Sequence, residues 1–288
     1  MPRVRLDDRA IVTVSGKDAE DLLQGLITTD LDALAPDEAK PGALLTPQGK
    51  IFFEFLISRD GNGLRLETAR DQAEALMKRL TMYKLRAAVD LALDTSTPVD
   101  VTFGAEAAPS GLRDHRFEKA GIALFRSYGG TAVNEETLRD PTGADELERL
   151  RIASGVVVAG ADYAPQDAFP HDVLLDKNGG LSFKKGCYVG QEVVSRMQHR
   201  STPRRRVVIV AAETALPPTG TTITANDKAI GALGTVQGKS ALAIVRVDKA
   251  GEAMANEVPL LAGDVPVTMV LPQWTGLSFP TSADEASA

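Results

Sequence analysis

The chain has a single cysteine, Cys187, within the stretch SFKKGCYVGQEVVSRMQHR, residues 182–200. Gly186 and Gly190 lie on either side of it, and glycine permits backbone conformations that other residues resist. The neighbouring cation of Lys185 favours the thiolate over the thiol. These residue types indicate either a reactive or ligand thiol, or a small buried hydrophobic side chain, which is the usual state of a free cysteine.

The residues after Gly190 predict a helix that begins close to the thiol. Gln191 and Glu192 would occupy its first turn, and the apolar positions within residues 193–197 can face inward. Cys187 would then lie in a tight loop about one turn before the helix N-terminus. The two adjacent valines in this stretch fit a strand equally well, so a strand is the alternative.

The cysteine and histidine counts limit what metal chemistry the chain can supply. One cysteine and three histidines are present, whereas a structural zinc usually takes about four Cys or His ligands and an iron–sulfur cluster about four thiolates. We therefore predict no resident metal. Ligands for a metal would have to come in part from a partner, a second subunit or a small molecule.

The sequence as given predicts neither a secretion signal nor a membrane helix. One cysteine cannot form an internal disulfide, which favours a reducing compartment. Residues 1–14 have a basic start without an apolar segment, and no run approaches the ~20 apolar residues of a membrane helix. We expect a cytoplasmic protein that does not contact membranes.

Charge is distributed unevenly along the chain. The formal net charge is −7, yet residues 184–206 contain seven basic residues against one acidic residue, Glu192. Such a stretch predicts anion binding, with a solvated basic face as the alternative. Aromatic residues are scarce there, so direct binding of nucleic acid is not expected.

Periodicity predicts an α+β protein with an all-β C-terminal part. Short strands separated by Gly and Pro turns follow Pro203 and predict a small antiparallel barrel. A helix at 142–155 precedes an irregular stretch, and such stretches are often functional. The N-terminal half has a ferredoxin-like order of elements: strands at 10–14, 42–58 and 64–69, a hairpin turn at 59–63, a helix at 71–83, and strands at 87–95 and 99–104.

The stretch KGCYVGQE, residues 185–192, resembles the signature K-G-C-Y-x-G-Q-E of the YgfZ family of folate-binding proteins. LQGLITTD at 23–30 and YKLRAAV at 83–89 are similar to other segments of that family. The basic residues at 204–206, RRR, also match the sequence pattern of that family. One departure is Ser201, where many members have glycine.

The YgfZ family is related to the aminomethyltransferase, or T-protein, of the glycine cleavage system. The resemblance implies an α+β fold: a three-domain T-protein-like ring with a discontinuous N-terminal domain, a ferredoxin-like domain and a C-terminal antiparallel β-barrel. The expected boundaries are 1–45 plus 146–202 for the discontinuous domain that carries the cysteine motif, 46–145 for the ferredoxin-like domain, 203–275 for the barrel, and 276–288 for a flexible tail.

The chain departs from the T-protein at residues needed for glycine cleavage. In GKIFFEF, residues 49–55, Phe53 and Glu54 replace the acid pair of the T-protein. Ala153 replaces the glutamate that reads the pterin. The chain is therefore not expected to be a classical aminomethyltransferase. A folate-dependent one-carbon transferase with a different acceptor, and an RNA-binding module, are the alternatives.

The resemblance implies a tetrahydrofolate-binding accessory protein in iron–sulfur cluster assembly or repair, with iron–sulfur tRNA-modifying enzymes as one candidate class of client. Cys187 would be the functional thiol, and Lys185 would raise its reactivity. The expected partners are folate and iron–sulfur proteins or their assembly factors. The residues expected to shape the motif loop are Gly186, Tyr188, Gly190, Gln191 and Glu192. The candidate folate contacts are Arg196, with residues 204–206 near it, and Tyr83, Arg86 and Gln24.

Overall fold

The structure is a computed structural model that describes residues 2–104, 111–130, 141–200 and 203–280. The chain divides into two compact units, Met1–Leu147 with Asp176–Gln191, and Glu148–Leu175 with Glu192–Ala288. The three-domain boundaries given above remain a prediction. Among the described residues, none of the helices combines the length and the apolar character needed to cross a membrane.

The first unit is built on a nine-stranded sheet in the order β1-β7-β9-β8-β3-β4-β5-β2-β6. The β3–β8 pair is parallel, and the other neighbours pair antiparallel. The strands are β1 (Arg3–Arg5), β2 (Arg9–Ser15), β3 (Glu38–Leu45), β4 (Ile51–Asp60), β5 (Gly63–Ala69), β6 (Asp90–Asp94), β7 (Val99–Phe103), β8 (Leu112–Asp114) and β9 (Leu124–Tyr128).

Helices α1 (Ala19–Gln24) and α2 (Arg70–Lys84) cover one part of this sheet, and α3 (His115–Glu118) is a single turn. The predicted helix at 71–83 is confirmed, and it buries Ala73, Leu76 and Leu80 along one face. Their partners are alternating inward side chains of β2, β4 and β5, which form one continuous core.

The single strand predicted at 42–58 is wrong, because the chain turns at residues 46–50. The Thr46 and Gly49 backbone N–H groups donate to Lys50 and Thr46 carbonyls, each at 2.8 Å. Gly49 has φ +80°, a left-handed conformation that favours glycine. The result is a β3–β4 hairpin whose tip lies against the cysteine motif.

The second unit contains a closed antiparallel barrel, which confirms the predicted barrel. Its strand order is β10-β13-β12-β11-β14-β15, with β10 (Arg205–Ala211), β11 (Thr222–Ala225), β12 (Lys228–Gln237), β13 (Ser240–Arg246), β14 (Leu260–Ala262) and β15 (Val265–Val270). A helix, α6 (Val247–Ala255), packs on it. Leu277 and Phe279 pack against the barrel core, and the rest of the predicted tail, 281–288, lies outside the described residues.

Two further helices flank the irregular stretch. Helix α4 (Pro141–Ser154) confirms the predicted helix, and Gly155 with φ +70° ends it. Helix α5 (Gln191–Arg200) follows the cysteine motif. Between them the chain contains turns and one isolated bridge, between Ala159 and Tyr163, as expected for an irregular segment.

Candidate functional site

Cys187 lies in the loop of residues 182–190, here called the motif loop, and its side chain is exposed. The interpretation of Cys187 as a buried hydrophobic residue is therefore wrong. The predicted helix is confirmed, because α5 begins at Gln191, and the alternative of a strand is wrong. The structure thus presents the only thiol of the chain to solvent, four residues before a helix begins.

The two glycines of the motif loop are required for different reasons. Both have left-handed backbones, with φ +100° at Gly186 and +79° at Gly190. A Cβ on Gly186 would meet nothing within 4 Å, whereas a Cβ on Gly190 would lie 2.6 Å from the Thr46 carbonyl oxygen and 3.1 Å from Gly49 Cα. Gly186 therefore serves the turn alone. Gly190 also permits close contact with the tip of the β3–β4 hairpin.

Thr28 ties the start of the motif loop to the core. The Ser182 N–H donates to the Thr28 carbonyl at 2.9 Å, and the Thr28 hydroxyl donates to the Gly180 carbonyl at 2.6 Å. The same hydroxyl accepts a bond from the Ala43 N–H at 2.9 Å. Thr28 is fully buried, so these bonds are shielded from water. Sequence reasoning did not identify this residue as a site residue, although it lies inside the LQGLITTD segment.

The ammonium group of Lys185 is half-buried and binds the same segment. Its Nζ donates to the carbonyl oxygens of Ile27 and Thr29, each at 2.7 Å. Burial lowers the pKa of this ammonium to about 8, while the nearby carboxylates of Asp30 and Asp32 act in the opposite direction. The effect of Lys185 on thiol reactivity stays a prediction.

Tyr188 is the buried member of the motif loop, with 6% of its surface exposed. Its ring lies 5.6 Å from Lys185 Nζ, and its backbone N–H donates to Gln191 Oε1 at 3.3 Å. Its hydroxyl is buried and has no hydrogen-bond partner among the described residues. Burial raises the pKa of the phenol, which therefore stays a neutral donor.

Two candidate folate contacts, Arg86 and Arg196, present charged groups at the surface. Arg196 is exposed and pairs with Glu192 at 2.9 Å along α5. Arg86 is exposed just after α2, where Tyr83 packs against the core. Guanidinium groups suit the glutamate tail of a folate, since they bind carboxylates well.

Gln24 has a different position, because its amide group is already engaged inside the first unit. It donates to Asp30 Oδ1 at 3.0 Å and accepts from the Leu31 N–H at 3.0 Å. The described contacts of these residues assign no pterin contact. Gln24 ends α1 and is bound to Asp30 and Leu31, whereas Tyr83 and Arg86 lie at the end of α2 and Arg196 lies in the other unit.

The residues that replace the T-protein acids occupy ordinary structural positions. Phe53 is buried in the core of the first unit, and Glu54 lies opposite Ala43 in the β3–β4 register. Ala153 is exposed on α4. None of these side chains supplies the carboxylate pair that the T-protein motif has.

The basic cluster at 204–206 does not present three free cations, which corrects its expected role in anion binding. Arg206 is buried and donates to the His171 carbonyl at 2.7 Å, because the strand alternation of β10 directs it inward. Arg205 pairs with Asp167 at 3.2 Å. Only Arg204 is exposed without a described side-chain partner.

The irregular segment carries one perturbed carboxyl group. Asp172 is buried and accepts a local turn bond from the Phe169 N–H at 3.1 Å. Burial raises the pKa of Asp172 to about 6, against the opposing effects of Arg205 and Arg206. Its neighbour His171 contacts Gln198 Oε1 on α5 through Nε2 at 3.0 Å.

Comparisons with known proteins agree on one group of relatives. A family model described as the C-terminal beta-barrel domain of CAF17 matches residues 204–277. The iron-sulfur cluster assembly factor IBA57 of Homo sapiens is 30% identical over 278 residues, 85% of this chain and 77% of that protein. The tRNA-modifying protein YgfZ of Escherichia coli K12 is 28% identical, over 75% of this chain and 73% of that protein.

Two other comparisons limit what can be inferred for this chain from its relatives. An IBA57 homologue of Chaetomium globosum is 32% identical, but the alignment covers 70% of this chain and only 54% of that protein. Among solved structures, aminomethyltransferase T of the glycine cleavage system from Bartonella henselae matches with a TM-score of 0.72 at 16% identity, over 94% of this chain and 85% of that one. This likeness confirms the T-protein-like fold and carries no more than the fold.

Proposed function

Because the chain belongs to the family of the IBA57 and YgfZ proteins, we propose that it is an accessory factor in the assembly or repair of iron–sulfur clusters. The observation that supports this proposal is the exposed thiol of Cys187 on a loop whose neighbours hold it firmly. Its partners are iron–sulfur proteins or their assembly factors. A reducing compartment such as the cytoplasm would keep this lone exposed thiol reduced.

We infer that the chain assists cluster chemistry and handles a cluster as cargo. It has one cysteine, and its described residues contain no group of three or more His, Cys, Asp or Glu side chains placed to hold a metal ion. A cluster is therefore cargo, for which a partner supplies the remaining ligands or sulfur. The role of Cys187 is to offer one thiol at a fixed place.

We also propose that the protein binds tetrahydrofolate or a derivative. Bound folate supplies a carrier of one-carbon units. Arg86 and Arg196 have exposed guanidinium groups that suit its carboxylates.

Calorimetry with tetrahydrofolate should show binding that weakens about two- to fivefold in Arg86→Gln or Arg196→Gln, the size expected for an exposed ion pair. The matched control is Arg149→Gln on the exposed face of α4, which should bind as the unaltered protein does. Equal affinities in all variants would contradict this assignment.

An accessory factor and a one-carbon transferase are separated by turnover. Purified protein incubated with methylenetetrahydrofolate and candidate acceptors should release less than one equivalent of tetrahydrofolate. Sustained multiple turnovers would overturn the accessory role in favour of catalysis.

In cells, Cys187→Ala should lower the activity of iron–sulfur enzymes while folate binding is retained.

A further inference from the structure

We propose that Lys185 is a positioning residue, which fixes Cys187 by clamping the motif loop onto the carbonyl groups of Ile27 and Thr29. The inference rests on the proposed function of the thiol, and it assigns to Lys185 a role in holding the loop. Residues 27–29 are called the anchor segment below.

The clamp uses most of what an ammonium group can donate. A lysine ammonium has three N–H donors and no acceptor, and two of them are used at 2.7 Å on the carbonyls of Ile27 and Thr29. Hydrogen bonds from a charged donor are about twice as strong as neutral ones. Because the group is half-buried, water competes less for it than for a fully exposed ammonium group.

The anchor segment makes two further hydrogen bonds to the chain just before Lys185. Between the two carbonyls lies Thr28, whose carbonyl accepts from Ser182 and whose hydroxyl donates to Gly180. Four hydrogen bonds therefore join residues 27–29 to residues 180–185. All of them lie on the N-terminal side of Cys187.

The other end of the motif loop is fixed by packing. Gly190 approaches the Thr46 carbonyl and Gly49 so closely that no Cβ fits. Cys187 lies between these two attachments and is itself exposed. The loop is thus immobilised at both ends while its thiol remains accessible, which is the arrangement that a thiol needs to meet a partner in one geometry.

Charge explains why a cation occupies this position. The carboxylates of Asp30 and Asp32 follow the anchor segment and attract the ammonium group. Lys184, one residue earlier, is exposed and has no described side-chain partner. The two adjacent lysines therefore have the same charge and different contacts, which makes Lys184 the matched control.

Hydrogen exchange of the full chain at pH 7 tests the clamp directly. In Lys185→Met, amides in residues 26–30 and 182–190 should exchange at least about tenfold faster, because two charge-assisted bonds are lost. Lys184→Met should exchange as the unaltered protein does. Lys185→Arg keeps the charge and the donors, and it should restore at least half of the lost protection. Unchanged exchange in Lys185→Met would overturn the proposal.

A second readout separates positioning from general stability. With variants compared at equal protein level and with Cys187 intact, Lys185→Met should lower iron–sulfur enzyme activity in cells, and Lys185→Arg should recover it. If Lys185→Met loosens the loop and leaves that activity unchanged, the positioning role is wrong. If instead Cys187→Ser leaves the activity unchanged, the proposed function fails, and the exchange result still reports on the clamp.

Discussion

Single atoms decide how the thiol of Cys187 is presented. The Nζ of Lys185 and the hydroxyl of Thr28 each bind more than one backbone group, and the Tyr188 side chain is buried with its ring 5.6 Å from that Nζ. The two glycines supply left-handed turns that no other residue adopts cheaply. The exposed Cys187 side chain has no such contact among the described residues, so its position follows from the backbone that its neighbours hold.

Substitution of the two glycines by alanine should have unequal effects. Gly190→Ala should lower the free energy of unfolding by at least about 3 kcal/mol, because it adds a collision with the Thr46 carbonyl to a strained backbone. Gly186→Ala has only the strained backbone and should lose about 1–2 kcal/mol. Chemical denaturation of both variants provides the measurement. Equal losses would mean that the contact with the hairpin tip is absent.

The raised pKa of Asp172 predicts a pH dependence of stability. The folded state binds this proton more tightly than the unfolded state does, so the contribution of Asp172 to stability falls as the pH rises from about 4 to about 6. Between pH 4 and pH 7 the unaltered protein should lose on the order of 2 kcal/mol more than Asp172→Asn. The exposed Asp264→Asn is the control. Identical pH profiles for the Asp172 variant and the unaltered protein would contradict the assignment.

At the scale of elements, the site is an arrangement of three segments around one loop. The anchor segment after α1, the tip of the β3–β4 hairpin and the start of α5 each contact the motif loop or continue it. All three depend on turns, and none of them is the interior of a helix or strand. The sheet behind them holds the first two segments at a fixed separation.

Thr28→Val tests how much the hydrogen bonds of the anchor segment stabilise the motif loop. Valine has nearly the same shape, but it leaves the buried Ala43 N–H and the Gly180 carbonyl without the hydroxyl. The expected loss is about 1–3 kcal/mol in the free energy of unfolding, with faster hydrogen exchange in the motif loop. Thr13→Val removes only an exposed contact to the Ala92 carbonyl at 3.4 Å, so it should change stability by less than about 0.5 kcal/mol. A loss in Thr28→Val no larger than in the control would contradict this account.

Elements with a clear period were predictable from the sequence, and contacts between distant segments were not. The apolar period of α2 and the short strands of the barrel gave the correct element types. The turn at residues 46–50 was missed because the apolar residues on both sides masked the Pro47 and Gly49 signals. The clamp between Lys185 and residues 27–29 joins positions 156 and 158 apart in the chain, and no local pattern encodes such a pair. Family resemblance identified both segments but not their contact.

At the scale of the whole molecule, the distribution of charge argues for a protein partner over a nucleic acid. The protein is acidic overall. Within the basic run, Lys185, Arg196, Arg205 and Arg206 have described partners of their own. Lys184 and Arg204 are exposed without one, and the side chain of Arg200 lies outside the described residues. The described part of the basic run is therefore not a continuous face of available cations.

RNA binding should consequently be weak and only mildly sensitive to salt. Even if Arg200 is counted as an upper bound beside Lys184 and Arg204, about three cations are available, so a plot of log affinity for single-stranded RNA against log salt should have a slope no steeper than about −2. Fluorescence anisotropy over a range of salt concentrations gives this slope. A slope near about −5, which seven available cations would give, would support the RNA-binding alternative and contradict the present reading.

Under the proposed function, the thiol of Cys187 is needed to keep iron–sulfur enzymes active. The most direct test measures the specific activity of an iron–sulfur enzyme in cells that carry Cys187→Ser as the sole copy of this protein. We predict that this activity falls to the level of cells lacking the protein, while protein amount and tetrahydrofolate affinity match those of the Lys184→Met control. Full iron–sulfur enzyme activity in the Cys187→Ser cells would contradict the account.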